Sequence, residues 1–116
     1  MKQINAYIRR ELVNETVEAL KRARSPGITV VEVHPVGYGY EPNYFESDYT
    51  SVVDSYNHLA VVKLEIICAD PDLYRLSEII IDRSRTGESG DGIIFVSEVL
   101  DAMRIRDGVH GESALS

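Results

Sequence analysis

The segment Gly87-Glu88-Ser89-Gly90-Asp91-Gly92 carries three glycines in six residues. That spacing lets consecutive backbone N–H groups converge on one anion. A nucleotide-hydrolysing phosphate loop would continue with Lys and then Ser or Thr, to hold phosphate and Mg²⁺, and would open a helix. Here Ile93-Ile94 follows and reads as a strand. The segment therefore offers anion binding without hydrolysis, and a glycine-rich connection with no ligand is the plainer alternative. Arg104 and Arg106 lie two residues apart, so an extended chain would project both to one side as a fork suited to phosphate. Solvated charge is the alternative for that pair.

No other constellation of reactive residues is present. The serines lack the G-x-S-x-G setting of a nucleophile. His34, His58 and His110 show neither H-E-x-x-H nor Cys/His metal spacing, although Asp54, His58 and neighbouring acids could hold a divalent ion weakly. Cys68, the single cysteine, sits in an apolar strand pattern and reads as a small core residue. It leaves no intrachain disulfide framework.

The elements that position these residues follow from periodicity. Residues 2–9 alternate, with Ile4, Ala6 and Ile8 on one side, as in a half-buried strand. From Glu11 to about Arg24, Val13, Val17 and Leu20 recur at helical spacing, with cations near the C-terminal end. Ser25-Pro26-Gly27 stops that helix, and Ile28 to Val36 reads as a strand. Val62, Leu64, Ile66 and Cys68 alternate with Lys63 and Glu65 as a third strand. Asp70 reads as an N-cap and Pro71 as the first residue of a second helix with a Leu73, Leu76, Ile80 stripe running to about Arg83. Ile93 to Val96 is a fourth strand, Val99 to Met103 a weak helical turn, and the last eight residues read as frayed.

Between strands two and three, residues 37–57 hold five of the seven tyrosines, four acids and no Lys or Arg. Compact domains rarely keep a loop that long unless it is functional or disordered. The order β-α-β-β-α-β, with right-handed crossovers, predicts an α+β ferredoxin-like fold: both helices on one face of an antiparallel four-stranded sheet. The other face would be left open although it carries Tyr7 and other apolar groups, and a homo-oligomer is the simplest cover.

The 116 residues make one domain, 1–116, with 44% hydrophobic and 27% charged residues. A net charge of −7 and a pI near 4.9 argue against nucleic acid, whose phosphates call for a basic face. No apolar run approaches the ~20 residues of a bilayer span, and no secretory signal opens the chain. A cytoplasmic protein without membrane insertion is expected.

These strings resemble the P-II nitrogen regulatory proteins over nearly the whole chain. Thr86-Gly87-Glu88-Ser89-Gly90-Asp91-Gly92-Ile93-Ile94-Phe95-Val96 is similar to the family's C-terminal signature. Gly27-Ile28-Thr29-Val30, Gly37-Tyr38-Gly39, Lys63-Leu64-Glu65-Ile66 and Arg104-Ile105-Arg106 fall where the family has similar strings. The resemblance implies a ferredoxin-like homotrimer that is a regulator rather than an enzyme. It would bind adenine nucleotide in clefts between subunits and act on a transporter or metabolic enzyme through the long T-loop, residues 37–57. By motif match the cleft residues are Thr29, Gly37, Tyr38, Gly39, Ile67, Thr86, Gly87, Gly90, Asp91, Gly92, Arg104 and Arg106, and the tail is 104–116.

Departures from the family pattern shape the expected ligand. Glu88 and Ile93 stand where the family commonly has Lys, so two cations are lost and an anion gained. Two unit charges ~4 Å apart at an effective dielectric near 20 interact by about 4 kcal/mol, so ADP or AMP is expected over ATP. Tyr40-Glu41 replaces the family's basic residue and Gln, against 2-oxoglutarate sensing with Mg²⁺. Tyr44-Phe45-Glu46-Ser47-Asp48-Tyr49 is a degraded form of the family's loop signature, so Tyr40, Tyr44, Tyr49 and Asp54 are expected to meet a partner unlike the usual ammonium channel, such as a transporter with a basic cytoplasmic face. The alternatives are a trimeric protein whose acidic Tyr-rich loop binds a divalent metal, and a small nucleotide-hydrolysing enzyme, for which no base or Mg²⁺ site is visible.

Overall fold

The computed structural model describes residues 1–35 and 61–116. Among them four strands, β1 (Lys2–Arg9), β2 (Ile28–Glu32), β3 (Val61–Cys68) and β4 (Ile93–Glu98), alternate with helices α1 (Val13–Arg22) and α2 (Leu73–Ser84). The sheet order is β2-β3-β1-β4, antiparallel throughout. This is the ferredoxin-like arrangement expected from the sequence, with the two longest strands, β1 and β3, in the middle.

Strand periodicity selects the buried face. Ile4, Ala6 and Ile8 of β1 and Val62, Leu64, Ile66 and Cys68 of β3 pack with Leu20 of α1 and Leu76 and Ile80 of α2 in one core. Cys68 is fully buried within it, and burial pushes its thiol pKa up. The same burial sequence recurs 60 residues apart: Ile4, Ala6, Ile8, Thr16 and Leu20 match Leu64, Ile66, Cys68, Leu76 and Ile80. Thr16 is the member that the apolar pattern missed. Its hydroxyl donates to the Leu12 carbonyl at 2.8 Å, which satisfies a polar group that burial would otherwise penalise.

Five local expectations are corrected. The first helix ends at Arg22 rather than near Arg24, because the chain leaves it through a left-handed residue. Arg24 has φ 59°, and Arg24 N and Ser25 N donate to the Lys21 and Leu20 carbonyls, both at 3.0 Å, the bonding of a Schellman stop. Asp70 is not an N-cap; its carboxylate takes the Met1 amino group at 3.0 Å, and Asp70–Asp72 forms a 3₁₀ turn that leads into α2. Strand β2 closes at Glu32, short of the expected Val36, which lies outside the described residues. Finally, no helical turn forms at Val99 to Met103, and the last residues are not frayed. Met103 bridges His110, Arg104 N donates to the Val109 carbonyl at 2.9 Å, and Gly111–Leu115 is a 3₁₀ helix packed against β3. The tail thus covers part of the sheet face that faces away from the helices.

A non-glycine residue in the left-handed region costs roughly 1–2 kcal/mol, so Arg24→Gly is expected to raise stability by about 0.5–1 kcal/mol after roughly 0.4–1 kcal/mol is deducted for the unfolded-state entropy of glycine. Chemical denaturation would measure it; an unchanged or lowered midpoint would show that Arg24 is not strained.

Candidate functional site

The glycine loop is positioned by strand pairing. On the β1–β4 ladder Lys2 faces Glu98 and Tyr7 faces Ile93, so two residues beyond that pair Arg9 stands opposite Asp91. The Arg9 Nε donates to Asp91 Oδ1 at 3.1 Å and its Nη2 to the Ser89 carbonyl at 2.9 Å. Asp91 also accepts from Thr86 N at 2.9 Å, Thr86 Oγ1 at 2.5 Å and Gly87 N at 2.8 Å. Gly87, Gly90 and Gly92 take φ of 90°, 99° and 99°, conformations that a side chain would strain. The carboxylate thus acts as the anion around which the loop is wound. These hydrogen bonds, from the Thr86 hydroxyl first, hold Asp91 far below the usual carboxylate range. A cavity of about 380 Å³ opens beside it, lined by Tyr7, Ile8, Ile81, Ser84, Arg85, Asp91, Gly92, Ile93 and Ile94.

At the other end of the sheet Thr29 pairs with Glu65 across β2 and β3, and Gln3 pairs with Ile67 across β1 and β3. These four line a second cavity of about 280 Å³, whose remaining wall includes Ala114 and Leu115 of the tail. Glu65 is held there by Lys63 Nζ at 2.8 Å, and this bond raises the Lys63 pKa. Arg104 belongs to the same end: its Nη1 donates to the Ser116 oxygen at 2.9 Å and the Ser113 carbonyl at 3.4 Å. Arg104 and Arg106 do not lie on an extended strand, since the chain turns at 105–107. They nevertheless converge on one anion, Asp107. Arg104 binds it through Nε at 3.0 Å and Nη2 at 2.8 Å, while Arg106 Nη2 lies 3.9 Å from the same carboxylate.

The structure therefore sorts the expected residues into two groups. Thr86, Gly87, Gly90, Asp91 and Gly92 are together at the Arg9 end; Thr29 and Ile67, with Arg104 on the tail, are at the Gln3 end. Six strand residues at ~3.3 Å each separate the ends by about 20 Å. Gly37, Tyr38, Gly39, Tyr40, Tyr44, Tyr49, Asp54 and His58 lie outside the described residues. Sequence reasoning passed over Arg9, Gln3, Glu65 and Asp107. Arg9 was reachable from the ladder register, whereas Asp107 was not, because its role depends on a turn that the strand-like reading of 104–106 excluded. Among the described residues no helix is long and apolar enough to cross a membrane.

The fold and loop define a small ferredoxin-like module with a carboxylate-wound glycine turn and no assembled catalytic group among the described residues. The family model described as Nitrogen regulatory protein P-II matches residues 1–109. Similar proteins include Nitrogen regulatory protein P-II 1 of Methanothermobacter thermautotrophicus, 41% identical across 99% of this chain and 97% of that protein. Nitrogen regulatory protein P-II of Cereibacter sphaeroides is 38% identical across 99% of this chain and all of its own length, and that of Porphyra purpurea is also 38% identical, over the same shares. The chain belongs to the P-II family and is a regulatory signal transducer rather than an enzyme.

Replacing Asp91 by Asn removes the charge that the Thr86 and Gly87 amides bind, and both are expected to exchange with solvent roughly tenfold faster; unchanged exchange would show that the loop holds its shape without the carboxylate. Acid should act the same way. Because folding holds the Asp91 carboxyl below its ordinary value of 3.8, its contribution is complete above that value and is lost as pH falls below it toward the folded pKa. Loop protection should accordingly be flat from pH 7 to pH 5 and fall only below about pH 4.

Proposed function

We propose that this P-II protein binds an adenine nucleotide in clefts between the subunits of a homotrimer, favours ADP or AMP over ATP, and signals through residues 37–57 to a transporter or metabolic enzyme in the cytoplasm. One observation carries the reading: the Thr86–Gly92 loop is prewound around Asp91, with three glycines in left-handed conformations. Thr86 and Gly87 spend their amides on Asp91, so these residues form the frame, and the phosphates would approach the remaining backbone of the turn. The distance between the two residue groups supports a shared cleft. A nucleotide that meets both the loop and Arg104 would take one from each of two neighbouring copies. Exposed Phe95, Val96, Leu100, Met103 and Ile105 provide the apolar surface for such neighbours.

The nucleotide preference rests on charge. Glu88 is exposed on the loop, where relatives commonly place Lys, and a carboxylate there repels a third phosphate most. No described group of three or more His, Cys, Asp and Glu gathers as a metal site, and the residues of the metal reading, Asp54 and His58, lie outside the described ones, so that reading gains nothing here.

Calorimetry with ATP, ADP, AMP and cyclic AMP tests the proposal. ADP or AMP is expected to bind, ATP more weakly, and Arg104→Ala to lose at least about tenfold in affinity, as charge-assisted bonds to phosphate are worth roughly 1.5–3 kcal/mol. Glu88→Lys is expected to restore ATP selectively. Failure of all four nucleotides to bind would remove the reading and leave metal titration as the next experiment.

A further inference from the structure

All three nitrogens of the Arg104 guanidinium donate within its own chain. Asp107 takes Nε and Nη2, and the Ser113 and Ser116 oxygens take Nη1. Arg106 leans toward the same Asp107 oxygen from 3.9 Å. A carboxylate therefore already sits in the arginine fork, in the planar paired geometry that a phosphate would adopt. The helix Gly111–Leu115 and the Ser116 that follows it supply the other two acceptors, and the same helix places Ala114 and Leu115 in the wall of the cavity that contains Thr29 and Ile67.

That segment is latched. The Gly111 amide donates to the Ala102 carbonyl at 2.9 Å and to Asp101 Oδ1 at 3.2 Å, and His110 Nδ1 lies 2.8 Å from Asp101 Oδ2. The His110 and Asp101 side chains of the latch are 62% and 43% exposed, so their contact contributes about 1 kcal/mol or less.

We propose that the tail is a built-in competitor of the nucleotide: Asp107 fills the place of a phosphate in the arginine fork while Ala114 and Leu115 close on the Thr29 and Ile67 cavity, so that ligand entry exchanges one anion for another and lifts the 111–115 helix. This rests on the nucleotide reading above and adds to it a device that sets the affinity. No bond is made or broken; the phosphate takes over the Nε and Nη2 donors as Asp107 turns to solvent. Both halves of the device move together because one short helix carries the Ser113 acceptor and the Leu115 side chain.

The test uses full-length protein with ADP as the probe. Asp107→Asn weakens the internal anion, and Leu115→Asn loosens the cavity wall without adding charge. Asp107→Asn is expected to bind ADP about threefold to fivefold tighter than the parent, the fold-change that corresponds to an exposed ion pair, and Leu115→Asn is also expected to bind it tighter. In the parent, ADP is expected to speed amide exchange at Gly111 by a similar factor. Equal or weaker ADP binding by both variants, or a Gly111 amide that ADP leaves unchanged or protects, overturns the proposal while leaving nucleotide binding intact. Absence of ADP binding in the parent and both variants instead removes the nucleotide reading itself, and the competitor with it.

Discussion

The pairing of β1 with β3 is the constraint on which the other features depend. Eight residue pairs, from Lys2↔Cys68 to Arg9↔Val61, fix which side chains face the helices and which face outward. A slip of one residue would exchange Ile4, Ala6 and Ile8 for Gln3, Asn5 and Tyr7 in the core. With that register set, β2 and β4 can only add at the two edges, and their own registers follow. The loop that precedes β4 must then arrive beside Arg9, and the segment that follows it must leave beside Met1, where Val99 N donates to the Met1 carbonyl at 3.0 Å. Site geometry is thus a consequence of sheet register rather than of any local motif.

The same constraint separates the parts of the site. Strand β4 begins at the glycine loop and ends just before the arginine segment, so the residues that resemble phosphate ligands are held at opposite ends of one strand. On the proposed nucleotide reading, a single chain supplies two half-sites. This suits a regulator whose ligand must be coupled to assembly, because a molecule that bridges half-sites from two copies reports on the relation between those copies.

Much of the fold was legible because it rests on periodicity. Alternation in residues 2–9 and 62–68 and the Leu73, Leu76, Ile80 spacing each correspond to an observed buried face. Where the sequence misled, a specific local bond prevailed over a pattern. Arg24 looks like a helical cation, yet the Schellman bonds of its neighbours place it beyond the helix. Asp70 looks like a cap, but the Met1 amino group offers a charged partner. The tail looks frayed because Gly108, Gly111 and small polar residues carry no apolar period; its order comes from Asp101, Asp107 and Arg104, whose interactions are long in space and silent in composition. In the candidate site, Thr86 to Gly92 was legible as a turn, but its dependence on Arg9 required the ladder, and the closure of Arg104 on Asp107 required the turn at 105–107.

The proposed anionic ligand sets an acidic chain an electrostatic problem, and the described residues bear on it. With a net charge of −7, the long-range field opposes phosphate, although screening at physiological salt confines that field to about 8 Å. What remains is local. Arg9 and Arg104 each have a carboxylate partner in place, Asp91 and Asp107, so neither guanidinium stands as an uncompensated charge. The two pairs differ in what can give way. Asp91 is bound by two backbone amides, a hydroxyl and Arg9 at once, so displacing it would unwind the loop, and it serves as a permanent frame. Asp107 is bound by Arg104 and the Val109 amide in an exposed turn, so displacing it leaves the sheet and the glycine loop in place. The carboxylate with fewer partners is therefore at the Arg104 end and the one with more is at the loop; on the proposed reading, this lets one end of the sheet define the ligand's shape while the other adjusts how tightly it is held.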